Sequence, residues 1–460
     1  MSKQTSRGPF SRRDFLKLGS GLIGAAAGSS LISKAFLQPD QVVMAARSVR
    51  SPQGSGLASP NAQATPANKH IVATDGWIYL PPDATVPPYH PDDMAPSPFN
   101  TYVFGFRDVS LVSGNDQLVY AQKMKAQMAA PLIRIEQETD YTLKLTNLGL
   151  QIRPDLIDAH TLHFHGFRNA IPVFDGEPHS SVGVPIARDL TYFYRPHDPG
   201  TYLYHCHFEE TEHVHMGMVG PAYITPIQNY GSGGQPATRL GGAESPVRGY
   251  VYNDGDGSTA YEREFVLVLN EVWTEAHWCD SHIQLPDWSD YAPEFYLLNG
   301  RVYPDTIYPH GSGVDLDTGD LIPPAGRPEL KYQPVSSLIK VNAGDRVLLR
   351  LSNIGFEQQT MRLEGIKMRV IGKDATLLRG RNGSDLTYLT NTVAISTGES
   401  VDAIFVAPDH SGSGEYDRYL FYNRNYKRLN NGGHSGYGGQ MTEVWVYPTG
   451  TLPPQEEPND

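Results

Sequence analysis

Apolar and polar residues alternate with a period of two in two distant stretches. These are LIRIEQETDYTLKLTNLG at 132–149 and LIKVNAGDRVLLRLSNIG at 338–355. Successive side chains of a strand point to opposite faces, so this alternation predicts half-buried strands joined by a turn. The stretches align without a gap and share a terminal Asn-x-Gly. Such an internal repeat predicts two copies of one β-sandwich.

Low-complexity stretches set the expected boundaries. Residues 47–69 are rich in Ser, Pro and Ala and read as a flexible leader; 229–249 reads as a linker, and 451–460 as an acidic tail. The first repeat then spans 70–228 and the second 250–450. A chain of 460 residues has room for both, and its 45 Gly and 36 Pro favour short strands and turns over long helices.

The segment 1–46 reads as a targeting signal. SRRDFLK (11–17) precedes a weakly apolar run rich in Gly and Ala, the pattern of a twin-arginine export signal. Gly and Ser interrupt that run, which argues against a permanent membrane anchor. The expected location is periplasmic, cell-surface or extracellular. A net charge of −13 argues against a nucleic-acid partner, because phosphate contacts need a basic surface.

An exported protein meets an oxidising compartment, where paired cysteines form disulfides. Only Cys206 and Cys279 are present. Cys206 lies between two histidines, which suggests a free ligand thiol. Cys279, in HWCDSH, reads as a buried structural thiol, with a metal site at His277 and His282 as the alternative.

Two segments of the first repeat concentrate soft metal ligands: HTLHFHG (160–166) and YHCHFEETEHVHMGM (204–218). If both are extended, strand parity sorts them by face. His160 and Cys206 meet on one side; His163, His165, His205 and His207 meet on the other. His213 and Met218 follow in a loop. Two imidazoles, a thiolate and a weak thioether are the ligand set of a blue-copper centre. Zinc competes for Cys and His, but a structural zinc is closed by four strong ligands.

With HTLHFHG and the HCH…H…M spacing in place, the chain resembles the cupredoxin domains of multicopper oxidases and, more distantly, copper nitrite reductases. The resemblance covers roughly 70–450 and implies an all-β fold of two tandem cupredoxin-like Greek-key sandwiches. It implies type 1 copper on His160, Cys206, His213 and Met218, with Met216 as the fallback thioether. It implies type 2/3-like copper on His163, His165, His205 and His207. Electrons from a small-molecule, metal-ion or protein reductant would pass through Cys206 to that second site, with O2 as acceptor. A homotrimer is implied by the same analogy. Asp175 falls where these oxidases carry an acidic residue near the cluster, as a proton-delivery candidate; a turn Asp before Gly is the plainer reading. His215 is expected to line the copper's surroundings, and His179 and His197 to be solvated.

The second repeat departs from the pattern. In register, His160, His163 and His165 become Gln359, Arg362 and Glu364, and His205, Cys206 and His207 become Asn423, Arg424 and Asn425. Arginine cannot coordinate, since it stays charged and offers no lone pair. The second domain is therefore expected to have lost its metals, with Arg362 and Glu364 pairing with each other or with a neighbour. His434 is an isolated histidine near the expected loop. A blue-copper electron-transfer or copper-binding protein is the alternative function, and nitrite reduction a third.

Overall fold

The computed structural model describes residues 67–81, 88–168, 170–230, 248–432 and 436–460. The twin-arginine segment, nearly all of the leader, most of 229–249 and His434 lie outside the described residues.

The first domain is a two-sheet sandwich. One sheet runs β2 (Thr101–Asp108), β1 (Lys69–Ile78), β4 (Tyr141–Asn147) and β6 (Asp189–Tyr194). The other runs β3 (Ile133–Glu136), β8 (Val219–Thr225), β7 (Gly200–His205) and β5 (His163–Phe164). Alternation sets the facing: Ile133 and Ile135 of β3 are buried, while Arg134 and Glu136 are exposed. In β4, Tyr141, Leu143 and Leu145 point inward. The core between the sheets includes Phe104, Phe106, Tyr192, Tyr204, Cys206 and Met218.

The second domain repeats the plan. One sheet runs β12 (Phe295–Leu298), β11 (Arg263–Val272), β14 (Arg346–Asn353), β20 (Ser400–Val406), β16 (Met368–Lys373) and β17 (Thr376–Leu377), with β18 (Tyr388–Thr390) also on β16. The facing sheet runs β13 (Ile339–Asn342), β22 (Met441–Tyr447), β21 (Asp417–Asn423), β15 (Gln359–Leu363) and β19 (Thr392–Ile395). A short hairpin, β9 (Gly249–Tyr250) with β10 (Ala260–Tyr261), precedes them.

The repeated Asn-x-Gly has one job in both copies. Asn147 Oδ1 accepts from Gly149 N at 2.8 Å, and Asn353 Oδ1 from Gly355 N at 3.1 Å. The same amides donate to Val184 and Ile395 carbonyls at 2.9 and 3.0 Å. Each turn is thereby tied to the strand or bridge that faces the metal-site position.

The domains share a seam that braces β7. Thr201 of β7 donates to Asp402 Oδ1 at 2.5 Å and accepts from Arg350 Nη1 at 3.0 Å. Arg350, Glu264 and Asp402 are all buried, and Arg350 Nε donates to Glu264 at 3.0 Å. Ile78, Leu80 and Val103 of the first domain pack with Val272, Phe295 and Leu297 of the second. Each such fully buried side chain contributes about 1.5–3 kcal/mol.

Three details differ from the sequence expectation. The ligand strands are shorter: β5 covers only His163–Phe164, because Gly166 turns the chain at φ +75°, and β7 stops at His205. The loop expected after β7 contains a short helix, Glu210–Met216. Residues 451–460 pack along the second domain, where buried Gln455 Oε1 accepts from Glu264 N at 2.8 Å and Asn459 Oδ1 from Val266 N at 2.7 Å.

Candidate metal centre

Side-chain parity persists beyond the strand end. Cys206 Sγ lies 3.7 Å from His160 Nδ1 and 3.4 Å from His213 Nδ1. All three residues are buried. The spacing suits ligands of one ion, each about 2.0–2.3 Å from it. His160 is held by a bridge to Val184, and His213 by the short helix. Met218 joins both backbones: Cys206 N donates to its carbonyl at 3.0 Å, and its N donates to His213 O at 2.9 Å. Met216 and Met218 are both buried.

The electrostatics prepare this thiol for a cation. Burial pushes Cys206 up, but the His213 and His160 rings outweigh it and hold the thiol well below its ordinary range. Burial pushes His213 down, but the Cys206 and Asp158 charges override it and raise the imidazole to about 10. A thiolate beside an imidazolium leaves a soft cation one ring proton to displace. His213 Nε2 faces Asp158 Oδ2 at 3.6 Å, and both atoms are buried with no hydrogen-bond partner. A carboxylate behind a ligand imidazole orients it and raises its basicity.

The other four histidines gather on the opposite face. Ring centroids are 4.8 Å apart for His163 and His207, 5.4 Å for His163 and His205, and 5.9 Å for His165 and His205. Three rings have oxygen partners at Nδ1. His163 meets the Asp175 carbonyl at 2.7 Å, His205 the Cys206 carbonyl at 2.9 Å, and His207 the Glu210 carboxylate at 3.1 Å. A proton at each Nδ1 leaves Nε2 with its lone pair for a metal. Burial keeps His205 neutral by lowering it to about 3, and lowers His163 as well. Asp175 meets His163 through its backbone carbonyl, with its carboxylate farther off at 3.7 Å.

Second-domain loops cap this face. His165 and His205 line a cavity of about 240 Å³ with Val214, Ile354, Phe356 and Gly398. A side chain at Gly398 would put its Cβ 2.8 Å from His165 Cε1. The second domain thus brings backbone and apolar groups to the histidine face.

Residues 107–228 match the multicopper oxidase family model. This segment is a multicopper oxidase domain. Rat ceruloplasmin is 30% identical over 127 residues, which are 26% of this chain. The chain spans 11% of that relative's length. Two solved structures are similar in fold. The blue copper oxidase from Nitrosomonas europaea is 19% identical, covers 82% of this chain and 85% of its own, and gives a TM-score of 0.52. The multicopper oxidase mgLAC is 19% identical, covers 84% and 87%, and gives 0.53. Copper is the cofactor that the family implies, and the buried thiolate with two converging imidazole nitrogens suits it.

Strand pairing corrects the expected register of the second repeat by one residue. His163 pairs with His205, whereas Arg362 pairs with Tyr422. Cys206 N bonds the Met218 carbonyl, and Asn423 N bonds the Gln440 carbonyl, both at 3.0 Å. So Tyr422, Asn423 and Arg424 stand where the multicopper oxidase domain has His205, Cys206 and His207. Only the paired neighbours fix this offset, since YNRN and FYNR both alternate acceptably.

The remaining residues fall away from both clusters. His215 is buried among His277, Trp288, Tyr291 and Phe356, and its Nε2 accepts from Trp273 N at 3.2 Å, so it lines the domain seam. His277 bonds the Tyr102 carbonyl at 2.5 Å and His282 stacks on Trp278, so Cys279 shares no site with them. Cys279 is buried, and burial raises its thiol to about 11. His179 and His197 are exposed and pair with Glu177 and Glu138. The sequence reading missed Asp158, Glu210 and the capping loops. The i,i+3 spacing of His207 and Glu210 was a usable signal; Asp158 carried none.

Proposed function

We propose that this chain is an exported copper-dependent oxidoreductase of the multicopper oxidase type. His160, Cys206, His213 and Met218 hold a type 1 copper; His163, His165, His205 and His207 hold type 2/3-like copper. Bound copper supplies one-electron redox chemistry at both places. The reading rests on one arrangement: Cys206 faces His160 and His213, while its chain neighbours His205 and His207 face the imidazole cluster. The covalent chain from the Cys206 sulfur through two peptide units is the electron route between the faces.

The chain's own residues prepare each end. Burial keeps water from Cys206 and limits rearrangement around it. The Asp175 carbonyl, the Cys206 carbonyl and Glu210 aim three imidazoles at one region. A small-molecule or metal-ion reductant, or a redox protein, gives electrons on the type 1 side, and O2 takes them on the other. Export by the twin-arginine route and a homotrimer that completes the histidine face belong to the same reading.

The capping loops favour a second reading, a blue-copper electron-transfer protein. They bring Ile354, Phe356 and Gly398, and no imidazole, to the cavity beside His165 and His205. Copper loading separates the two. More than one copper per chain, with oxygen uptake driven by phenols or metal ions, is the expected result. One copper per chain and no oxygen uptake overturns the oxidase and leaves the carrier.

A further inference from the structure

The helix that carries Cys279 ends in a second group of metal-ligating atoms, unrelated to the copper face. It runs from Thr274 to Ser281, and His282 caps it. The His282 ring stacks on Trp278 with centroids 4.0 Å apart. Its Nδ1 lies 2.9 Å from the Trp278 carbonyl. Ser281 Oγ lies 2.9 Å from the same nitrogen. A carbonyl can only accept, so in the tautomer that satisfies it Nδ1 carries the proton, and a neutral ring then bears its lone pair on Nε2. That Nε2 faces Asp93 Oδ1 at 3.1 Å. Two acceptors this close repel unless a cation lies with them.

A third ligand stands beside them. Asp92 is buried, and ligand atoms of Asp92, Asp93 and His282 all lie within 4.8 Å of one another. Asp92 accepts from Met94 N at 2.8 Å and from Ser281 Oγ, which fixes its carboxylate while leaving lone pairs free. A proton on His282 would leave two carboxylates against one imidazolium, a net negative charge beside the buried Asp92. A dication with neutral His282 balances the charge.

We propose that Asp92, Asp93 and His282 form a binding site for a divalent transition metal of the zinc class. One imidazole and two carboxylates are ligands that zinc accepts, and three protein ligands leave a position open to water. Asp92 and Asp93 precede β2 in the first domain, and His282 belongs to the second. The ion therefore clamps the seam from outside, independently of the copper chemistry.

Zinc itself is the probe, added to copper-loaded full-length protein and counted by equilibrium dialysis. One equivalent is expected at micromolar concentration. His282→Ala and Asp93→Asn should each weaken it at least tenfold, with the blue copper band unchanged. Zinc should also raise the thermal midpoint of the native protein but not that of Asp93→Asn, whose side chain is 86% exposed and outside the core. Binding only at millimolar zinc, or affinity unchanged in both variants, overturns the site and leaves an imidazolium–carboxylate pair.

Discussion

The two sandwich domains share strands, turns and topology, yet fill equivalent positions with opposite chemistry. Where the first has His160, Cys206 and Met218, the second has Gln359, Asn423 and Gln440. Asn423 Nδ2 donates to Gln359 Oε1 at 2.8 Å and to Gln440 Oε1 at 2.6 Å. Arg428 enters from the following loop, as His213 does, and donates to Gln359 Oε1 at 2.7 Å. The other face changes in parallel. Arg362 donates to both oxygens of Glu364 at 2.6 and 3.0 Å, and Tyr422 donates to the same carboxylate at 2.7 Å.

The difference teaches what the fold needs at these positions. A sandwich end with inward polar atoms must satisfy them. The first domain leaves a thiolate and imidazole nitrogens converging, a set that a soft cation completes. Among the described residues, the second ties Asn423, Gln359, Gln440 and Arg428 to one another and sets no thiol or imidazole at these positions. Its surfaces instead brace the strand that carries the ligands, through Arg350, Ser400 and Asp402 against Thr201.

The largest expected effect is at the thiol. Cys206→Ser should abolish the intense thiolate-to-copper absorption completely, while Asn423→Ser at the equivalent position should leave the band and the copper content unchanged. A surviving band in Cys206→Ser breaks the comparison at its centre.

Next comes the brace. Arg350→Met leaves buried Glu264 with Arg248 as its remaining cation, takes the donor from Thr201 Oγ1, and should cost about 3 kcal/mol in denaturant unfolding. Copper affinity should fall with it, since β7 loses its support. A variant with native stability would mean that the second domain does not hold the ligand strand.

A smaller loss is expected within the second domain's polar set. Asn423→Ala takes the donor from Gln440 Oε1, while Gln359 Oε1 keeps Arg428, at about 1–3 kcal/mol. Unfolding midpoints measured with and without copper should fall equally if the second domain has lost its metals.

Acid stability tests the histidines that burial holds neutral. Burial lowers His70, His90 and His277 to about 4, and all three lie in the first domain or at its seam. Their folded values sit below the ordinary 6.5, so the folded state resists the protons that the unfolded chain takes up. Their contribution is fully present above pH 6.5 and is lost as pH falls toward 4. The thermal midpoint of copper-free protein should therefore fall by several degrees over that window, and stay flat if the comparison is wrong.

Much of the site was legible because strand parity is a local property. The positions of His160, Cys206, His205 and His207 within two short segments were enough to sort them onto two faces, and the gapless repeat was enough to give two sandwiches. Boundaries were less legible: Gly166 cut β5 short, and the ligand loop wound into a helix. The second domain's register was off by one because period-two patterning cannot distinguish YNRN from FYNR; only cross-strand partners do.

The sequence by itself determined which atoms could bind a soft metal and on which side of the strand each would point, because the backbone's period of two needs no tertiary partner. Only the tertiary structure decided what surrounds them. Asp158 behind His213, the Asp175 carbonyl behind His163, and the domain-two loops over His165 come from distant segments. Asp92 and His282, 190 positions apart in sequence, meet only because the two sandwiches dock. Such meetings depend on how whole sheets pack, which local alternation does not encode.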